Sequence, residues 1–178
     1  MRKITSLLFA AAFMLFCSNA FSQVTVFIKA YDENGVKIDG GSVVPGHAKD
    51  IETLSYSFGV SSCGVDCGPN VSDFSTMMIL NPATIVLKMM LLKGLHLTKI
   101  DMAYRKGAAT YDFYNVHMED VLVSSVQESG SSETPAVSVS FTPGKIAWQY
   151  TKENSQGGAG VKTKGGWDVG AKTEWSYY

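Results

Sequence analysis

Short stretches of strand-forming residues recur along almost the whole chain, separated by brief breaks rich in Gly, Ser, Asn or Lys-Gly. In the first stretch, Val24, Val26 and Ile28 share one face of an extended chain, and the intervening residues share the other. Further strands are predicted at residues 51–60, 71–80, 95–105, 110–116, 119–126, 136–150 and 166–175. Many short strands with regular turns predict a mainly β fold, built as an antiparallel β-sandwich or β-barrel.

One segment carries the signals of a helix instead. Asn81 suits an N-cap, Pro82 suits the first helical position, and Gly94 suits a C-terminal stop for a helix over residues 83–93. The segment is apolar around most of its circumference, which predicts a short helix that flanks the strands and packs against a second surface, such as a neighbouring subunit. Residues 36–50 predict a long surface loop, and residues 156–160 predict a flexible connector.

The first 22 residues have the pattern of a secretory signal peptide. Arg2 and Lys3 precede an apolar run over residues 4–16, and residues 20–22 (AFS) supply the small residues of a cleavage site before Gln23. A membrane anchor is the alternative, but the run is shorter than the roughly 20 residues that span a bilayer. We therefore expect residues 23–178 to form one exported domain, in the periplasm or outside the cell, with no membrane span after cleavage.

Two cysteines remain after that cleavage. Cys63 and Cys67 lie in a Gly-rich turn, so in an oxidising compartment they predict a local disulfide. Free thiols are one alternative, and a metal site completed by His47, His96 or His117 is another. The cysteine spacing differs from common zinc motifs and the histidines are scattered, so no metal is predicted.

Charge and motifs exclude several classes of function. The chain has a formal net charge of −1 and only 17% charged residues, which gives no electrostatic footprint for nucleic acid. It contains neither a Gly-x-Ser-x-Gly nor a His-Glu-x-x-His motif, and residues 160–163 (GVKT) depart from a phosphate-binding loop. No catalytic centre and no cofactor are predicted.

Six segments, in order, resemble the haemolysin-coregulated protein (Hcp) family. They are residues 47–60 (HAKDIETLSYSFGV), 73–75 (DFS), 93–96 (KGLH), 104–107 (YRKG), 119–126 (EDVLVSSV) and 164–169 (KGGWDV). The resemblance implies a β-barrel with one flanking α-helix, which assembles into hexameric rings that stack into the inner tube of the type VI secretion system. It also implies a protein without catalytic activity that can hold small effectors in the lumen of the ring.

The resemblance also suggests surfaces for assembly. Ser57 faces away from its neighbours Tyr56 and Phe58, in a strand that lines the channel in the family, so it is the candidate lumen residue. The alternative is a small residue that merely fills a strand position. The extended loop over residues 31–50 corresponds to the family's ring-stacking loop, and its candidate stacking residues are Asp32, Asn34, Lys37 and Asp39.

The chain also departs from the family pattern, at residues 143–144 and in its signal peptide. Pro143 and Gly144 interrupt a strand that the family runs unbroken, which predicts a bulge or an edge. The signal peptide is unusual because tube subunits normally polymerise in the cytoplasm. Three hypotheses follow: an exported ring-forming or cargo-binding protein, a true tube component, or a small secreted enzyme that uses His47, Asp50 or His117.

Overall fold

The computed structural model describes residues 24–62, 64, 68–107, 109–130 and 133–178. The predicted signal peptide and the predicted Cys63–Cys67 disulfide lie outside these residues. The elements of the described part are β1 (Val24–Tyr31), β2 (Ile51–Ser57), β3 (Val60–Ser62), β4 (Pro69–Val71), β5 (Phe74–Ile79), α1 (Pro82–Lys93), β6 (His96–Lys106), β7 (Asp112–Ser129), β8 (Ala136–Glu153), β9 (Ala159–Asp168) and β10 (Thr173–Glu174).

Six of these strands close into an antiparallel barrel. The order around it is β2, β1, β6, β7, β8 and β5, and the ring is completed by the pairing of β5 with β2. β9 and β10 extend the sheet from the second half of β8, and β3 with β4 forms a separate hairpin. The predicted fold class, a β-barrel with one short helix, is confirmed.

Apolar side chains from alternate strand positions fill the interior of the barrel. The inward side chains form one continuous apolar core, because every second residue of a strand points to the same face. The largest fully buried members are Tyr104, Phe74, Phe141, Ile28, Met78, Met102 and Met118. The residues between them face outward and form the surfaces that are available to partners.

Several predicted strand boundaries are wrong. The predicted strand over residues 51–60 is broken between β2, which ends at Ser57, and β3, which begins at Val60. The segments 110–116 and 119–126 belong to one strand, β7, because His117 points outward between the core residues Val116 and Met118 and does not break the ladder. The predicted connector over residues 156–160 and last strand over 166–175 are also misplaced. β9 already begins at Ala159 and pairs with β8, so tertiary pairing overrides its glycine-rich sequence.

Pro143 and Gly144 lie where β8 changes its partner. β8 pairs with β5 up to Phe141 and with β9 from Lys145 onward, so the predicted edge is confirmed on that side of the strand. The predicted bulge is absent at this position, because the register with β7 is unbroken there. The shift occurs between Val123 and Ser125 of β7 instead.

The helix begins and ends where its capping residues predict. The Asn81 side chain accepts a hydrogen bond from the Ala83 amide at 3.0 Å, and Gly94 ends the helix in the left-handed region at φ 63°. α1 buries one face on the barrel, through Ala83, Thr84, Leu87 and Met90. Its other face remains apolar and exposed.

Candidate interaction surfaces

The loop over residues 32–50 is held together by a buried carboxylate. Asp50 is fully buried, and its Oδ1 accepts a hydrogen bond from the Lys37 ammonium at 2.6 Å. The other oxygen, Oδ2, lies 2.8 Å from Nδ1 of His47. Lys37 also donates to the carbonyl of Ala48 at 2.9 Å. Because a buried charge without partners is strongly disfavoured, these contacts bind the two arms of the loop to each other.

His47 joins this loop to the outer surface of the barrel. Its ring lies parallel to Phe27 of β1, with 3.8 Å between the ring centroids. Nε2 of His47 lies 3.3 Å from Oδ1 of Asp112, which also accepts from Nε of Arg105 at 2.9 Å. Both ring nitrogens of His47 therefore lie within hydrogen-bonding distance of a carboxylate, Asp50 on one side and Asp112 on the other. The loop is therefore fixed, although it has little regular structure.

The predicted stacking residues divide into engaged and exposed groups. Asp32 caps its own turn by accepting from the amides of Asn34 and Val36, and Lys37 is occupied by Asp50. Asn34 and Asp39 are exposed. The Gly41 amide and the ammonium of Lys49 hold the pKa of Asp39 below its usual range. The exposed part of the loop therefore includes an ionised carboxylate at neutral pH.

Ser57 lies in a row of serines that crosses four neighbouring strands. The register pairs Ser57 with Ser75, Ser75 with Ser140, and Ser140 with Ser125. Ser75 and Ser140 are hydrogen-bonded through their hydroxyls at 2.9 Å. The next row contains Ser55, Met77, Ser138 and Gln127. These two rows, named the serine face, form a surface without charge.

The orientation predicted for Ser57 is confirmed. Its neighbours Tyr56 and Phe58 both turn toward the core, where each ring contacts Phe74. Ser57 is exposed on the opposite face. The sequence identified one member of the serine face. Ser55 lies on the same strand, whereas the remaining members come from β5, β7 and β8, whose register was not predictable.

The exposed face of α1 carries a stripe of apolar side chains. Ile85, Met89 and Leu92 are 60%, 45% and 78% exposed, and their spacing places them along one side of the helix. Exposed apolar side chains that form a contiguous stripe on a short helix are typical of a contact surface. We name these three residues the helix stripe.

The C-terminal tail, residues 175–178, is an aromatic segment that the sequence reasoning did not single out. It crosses the outside of the barrel, where Tyr177 stacks on His117 with 3.5 Å between ring centroids. Oδ1 of Asp101 lies 2.5 Å from Nδ1 of the same histidine. The sequence signal that could have identified this segment is the presence of three aromatic residues among the last four, Trp175, Tyr177 and Tyr178.

The buried ring of Tyr104 packs against the rings of Tyr56 and Tyr114, of which Tyr56 is 47% exposed. Burial raises the pKa of Tyr104 well above its usual value, and the nearby phenols of Tyr56 and Tyr114 raise it further. Within the described residues, the hydroxyl of Tyr104 has no hydrogen-bond partner. A side chain held this way stays neutral and acts as packing, not as a base.

The histidines serve separate sites. His47 contacts Asp50 and Asp112, His117 contacts Asp101 and Glu119, and His96 contacts Asp120. Across the described ranges, no group of three or more His, Cys, Asp or Glu side chains has an arrangement that could hold a metal ion. In the same residues, no helix is both long and apolar enough to cross a membrane. His47, Asp50 and His117, the residues of the enzyme hypothesis, are all buried and engaged by neighbours.

Comparisons with known proteins agree with this architecture. The family model of the type VI secretion system effector Hcp matches residues 27–150. A solved structure described as a type six secretion system protein is 22% identical, covers 86% of this chain and 100% of its own, and superposes with a TM-score of 0.75. Comparison with curated proteins gives no match.

Two further structures have the same fold. Hcp1 from Salmonella typhimurium is 20% identical over 86% of this chain and 100% of its own, with a TM-score of 0.71. A type VI secretion system effector from Yersinia pestis is 23% identical over 81% of this chain and 99% of its own, with a TM-score of 0.65. At these identities the structures show a shared fold, whereas the sequence match over residues 27–150 shows common family membership.

Proposed function

Because this chain belongs to the Hcp family of type VI secretion system proteins, we propose that it is a ring-forming structural subunit that acts after export from the cytoplasm. The observation that carries the proposal is the family match over residues 27–150, in a chain whose barrel superposes on complete Hcp structures. The expectation of hexameric rings that stack on one another rests on what is known of the Hcp family. The helix stripe, the loop over residues 32–50 and the serine face can each be assigned to one part of such a ring.

The helix stripe is suited to the contact between neighbouring subunits. A closed ring needs two different surfaces that meet at every interface. Burying Ile85, Met89 and Leu92 against a neighbour would remove apolar area from water, at about 25 cal/mol per Å². The stripe therefore supplies one of the two surfaces, and the loop over residues 32–50 is available for contact along the ring axis.

The serine face is suited to the lumen. A channel wall that holds different small effectors favours small, uncharged, hydrophilic side chains, because charged side chains would select among cargoes. Ser57 and the row through Ser75, Ser140 and Ser125 have this chemistry. We assign Ser57 to the lumen wall on this basis.

Sedimentation and native mass spectrometry of residues 23–178 test the ring. We expect a hexamer whose population rises with protein concentration. Met89→Asp and Leu92→Asp should shift the protein to monomers, because each places a charge in the apolar contact. Val161→Asp is the matched control, since Val161 is a 76% exposed aliphatic residue on β9, away from the stripe. A wild-type protein that stays monomeric at high concentration contradicts the proposal.

Cargo retention tests the lumen assignment. Ser57→Trp should reduce the amount of small effector that copurifies with the ring and leave the hexamer intact. Ser61→Trp, at an exposed position of β3, is the control for added bulk. Equal loss of cargo in both variants would remove Ser57 from the lumen wall.

The second candidate function is that of an exported Hcp-like binding protein that is not connected to a contractile tube. The signal-peptide pattern of residues 1–22 favours it. Cell fractionation followed by N-terminal sequencing tests the export step, for which we expect a mature chain beginning at Gln23. A deletion strain separates the two functions. Loss of contraction-dependent secretion supports a tube component, and normal secretion supports the separate binding protein.

A further inference from the structure

All three tryptophans of the chain line a single cavity. Trp148 comes from β8, Trp167 from β9 and Trp175 from the C-terminal tail, and Tyr177 and Tyr178 add two further rings. The cavity has a volume of about 790 Å³ and lies between the hairpin of β3 and β4 and the tail. This volume falls within the range of about 300–1,000 Å³ that is typical of small-molecule sites.

Polar side chains stand among these rings without partners of their own. Asn70, Lys164, Glu174 and Ser176 all line the cavity. In the described part of the chain, none of these four side chains forms a hydrogen bond or an ion pair. Together they offer donors and acceptors, and the charges of Lys164 and Glu174 cancel. Such a set suits a neutral ligand with several hydroxyl groups.

Part of the cavity wall is formed by β9 backbone that carries no side chains. Gly165 and Gly166 of β9 line the cavity, and a Cβ placed at Gly165 would meet nothing within 4 Å. Gly165 pairs with Trp148, and Trp167 lies two residues further along β9, so both indoles share the sheet face that Gly165 leaves open to a flat ring. Sugar rings match this arrangement, because their C–H faces are apolar and flat while their hydroxyls project around the edge.

We propose that the tryptophan cavity binds a short, uncharged oligosaccharide, with sugar rings stacked on the indoles and hydroxyls hydrogen-bonded by Asn70 and Glu174. A wholly apolar ligand would make no use of the hydrogen-bonding groups of these four exposed side chains. An extended peptide is less suited, because the strand edge at the cavity is already used. Glu174 pairs with Trp167, and the Trp175 amide donates to the Gly166 carbonyl at 3.0 Å.

Indole NMR signals give a direct test with residues 23–178. The chain contains three tryptophans and all of them line the cavity, so binding should shift indole N–H signals and change tryptophan fluorescence saturably. The probes are cellotriose and triacetylchitotriose, whose equatorial substituents leave both ring faces flat. No saturable change with either sugar overturns the proposal, as does an effect produced by an extended peptide but by neither sugar.

Variants locate the binding to the cavity. Trp167→Ala should weaken sugar binding about tenfold, because it removes one stacking face on the side of Gly165. Asn70→Ala should also weaken it and leaves the tail untouched, which separates lost binding from a displaced tail. Tyr150→Ala is the matched control, because Tyr150 is an exposed aromatic residue outside the cavity. Unchanged affinity in both cavity variants, with unchanged unfolding midpoints, would place the sugar elsewhere. The proposal does not depend on ring formation.

Discussion

His117 and Tyr177 lie face to face, with ring centroids 3.5 Å apart and planes 5° from parallel. The histidine is 1% exposed, and its two nitrogens face Asp101 at 2.5 Å and Glu119 at 3.4 Å. His47 has the same arrangement on another part of the barrel, stacked on Phe27 between Asp50 and Asp112. In both places, a buried histidine fastens an irregular segment to the outer surface of the strands.

His117→Ala should release the C-terminal tail. The substitution removes a stacked ring, worth about 0.5–1.5 kcal/mol, and hydrogen bonds to carboxylates that are only partly buried. We expect the free energy of unfolding to fall by about 1–3 kcal/mol and amide exchange to rise in the tail. His96→Ala is the control, because its half-exposed contact with Asp120 contributes less than about 1 kcal/mol. Equal effects of the two variants would contradict a specific role of His117.

Asp50→Ala should be far more damaging. It leaves the Lys37 ammonium and His47 without their buried acceptor, a change that costs about 3–5 kcal/mol when an ion pair is buried. Lys37 is 31% exposed, so we expect the lower end of that range. Urea unfolding measures the loss, and Asp39→Ala in the exposed part of the same loop should leave the urea midpoint close to that of wild type.

Local signals in the sequence were sufficient for part of this fold. The helix ends follow from Asn81 and Gly94, which act on their own neighbours, and the orientation of Ser57 follows from strand alternation. Strand alternation alone also allows a β-sandwich, so the prediction of a barrel rested on the resemblance to the Hcp family.

Long-range contacts account for what the sequence missed. Trp148 and Trp175 line one cavity only because β9 pairs with β8 and the tail folds back, and neither event leaves a local pattern in the sequence. β7 continues through His117 because this residue pairs with Asp101 of β6 and contacts its carboxylate, and the two residues are 16 apart in sequence. Register and tail placement therefore had to come from the structure.

Tyr104→Phe should stabilise the protein. The buried hydroxyl lacks a partner within the described residues, so its removal relieves a desolvation penalty and we expect a gain of about 1 kcal/mol. The raised pKa of Tyr104 also gives a pH dependence. The neutral phenol is favoured in the folded state, so this stability is complete below the unfolded pKa of about 10 and is lost as the pH rises above it.

Urea unfolding between pH 7 and pH 11 checks both effects. Tyr104→Phe should unfold at higher urea at pH 7 and lose less stability than wild type at alkaline pH. Tyr150→Phe, which removes an exposed hydroxyl, should stay within about 0.5 kcal/mol of wild type at pH 7. A destabilised Tyr104→Phe variant would mean that the hydroxyl makes a needed hydrogen bond.

Two adjacent glycines of β9 give the sharpest comparison for the tail. A Cβ at Gly166 would lie 2.4 Å from the carbonyl oxygen of Trp175 and 3.1 Å from Cβ of Ala147, whereas a Cβ at Gly165 meets nothing within 4 Å. Gly166→Ala must therefore push the tail away from the strand.

We expect Gly166→Ala to cost about 1–3 kcal/mol and to expose Trp175, seen as a red shift of its fluorescence. Gly165→Ala should be neutral or stabilising by up to about 1 kcal/mol, because alanine restricts the unfolded chain without a clash. Equal effects of the two substitutions on stability and on tryptophan fluorescence would show that the close approach of Gly166 to the tail does not hold Trp175 in place.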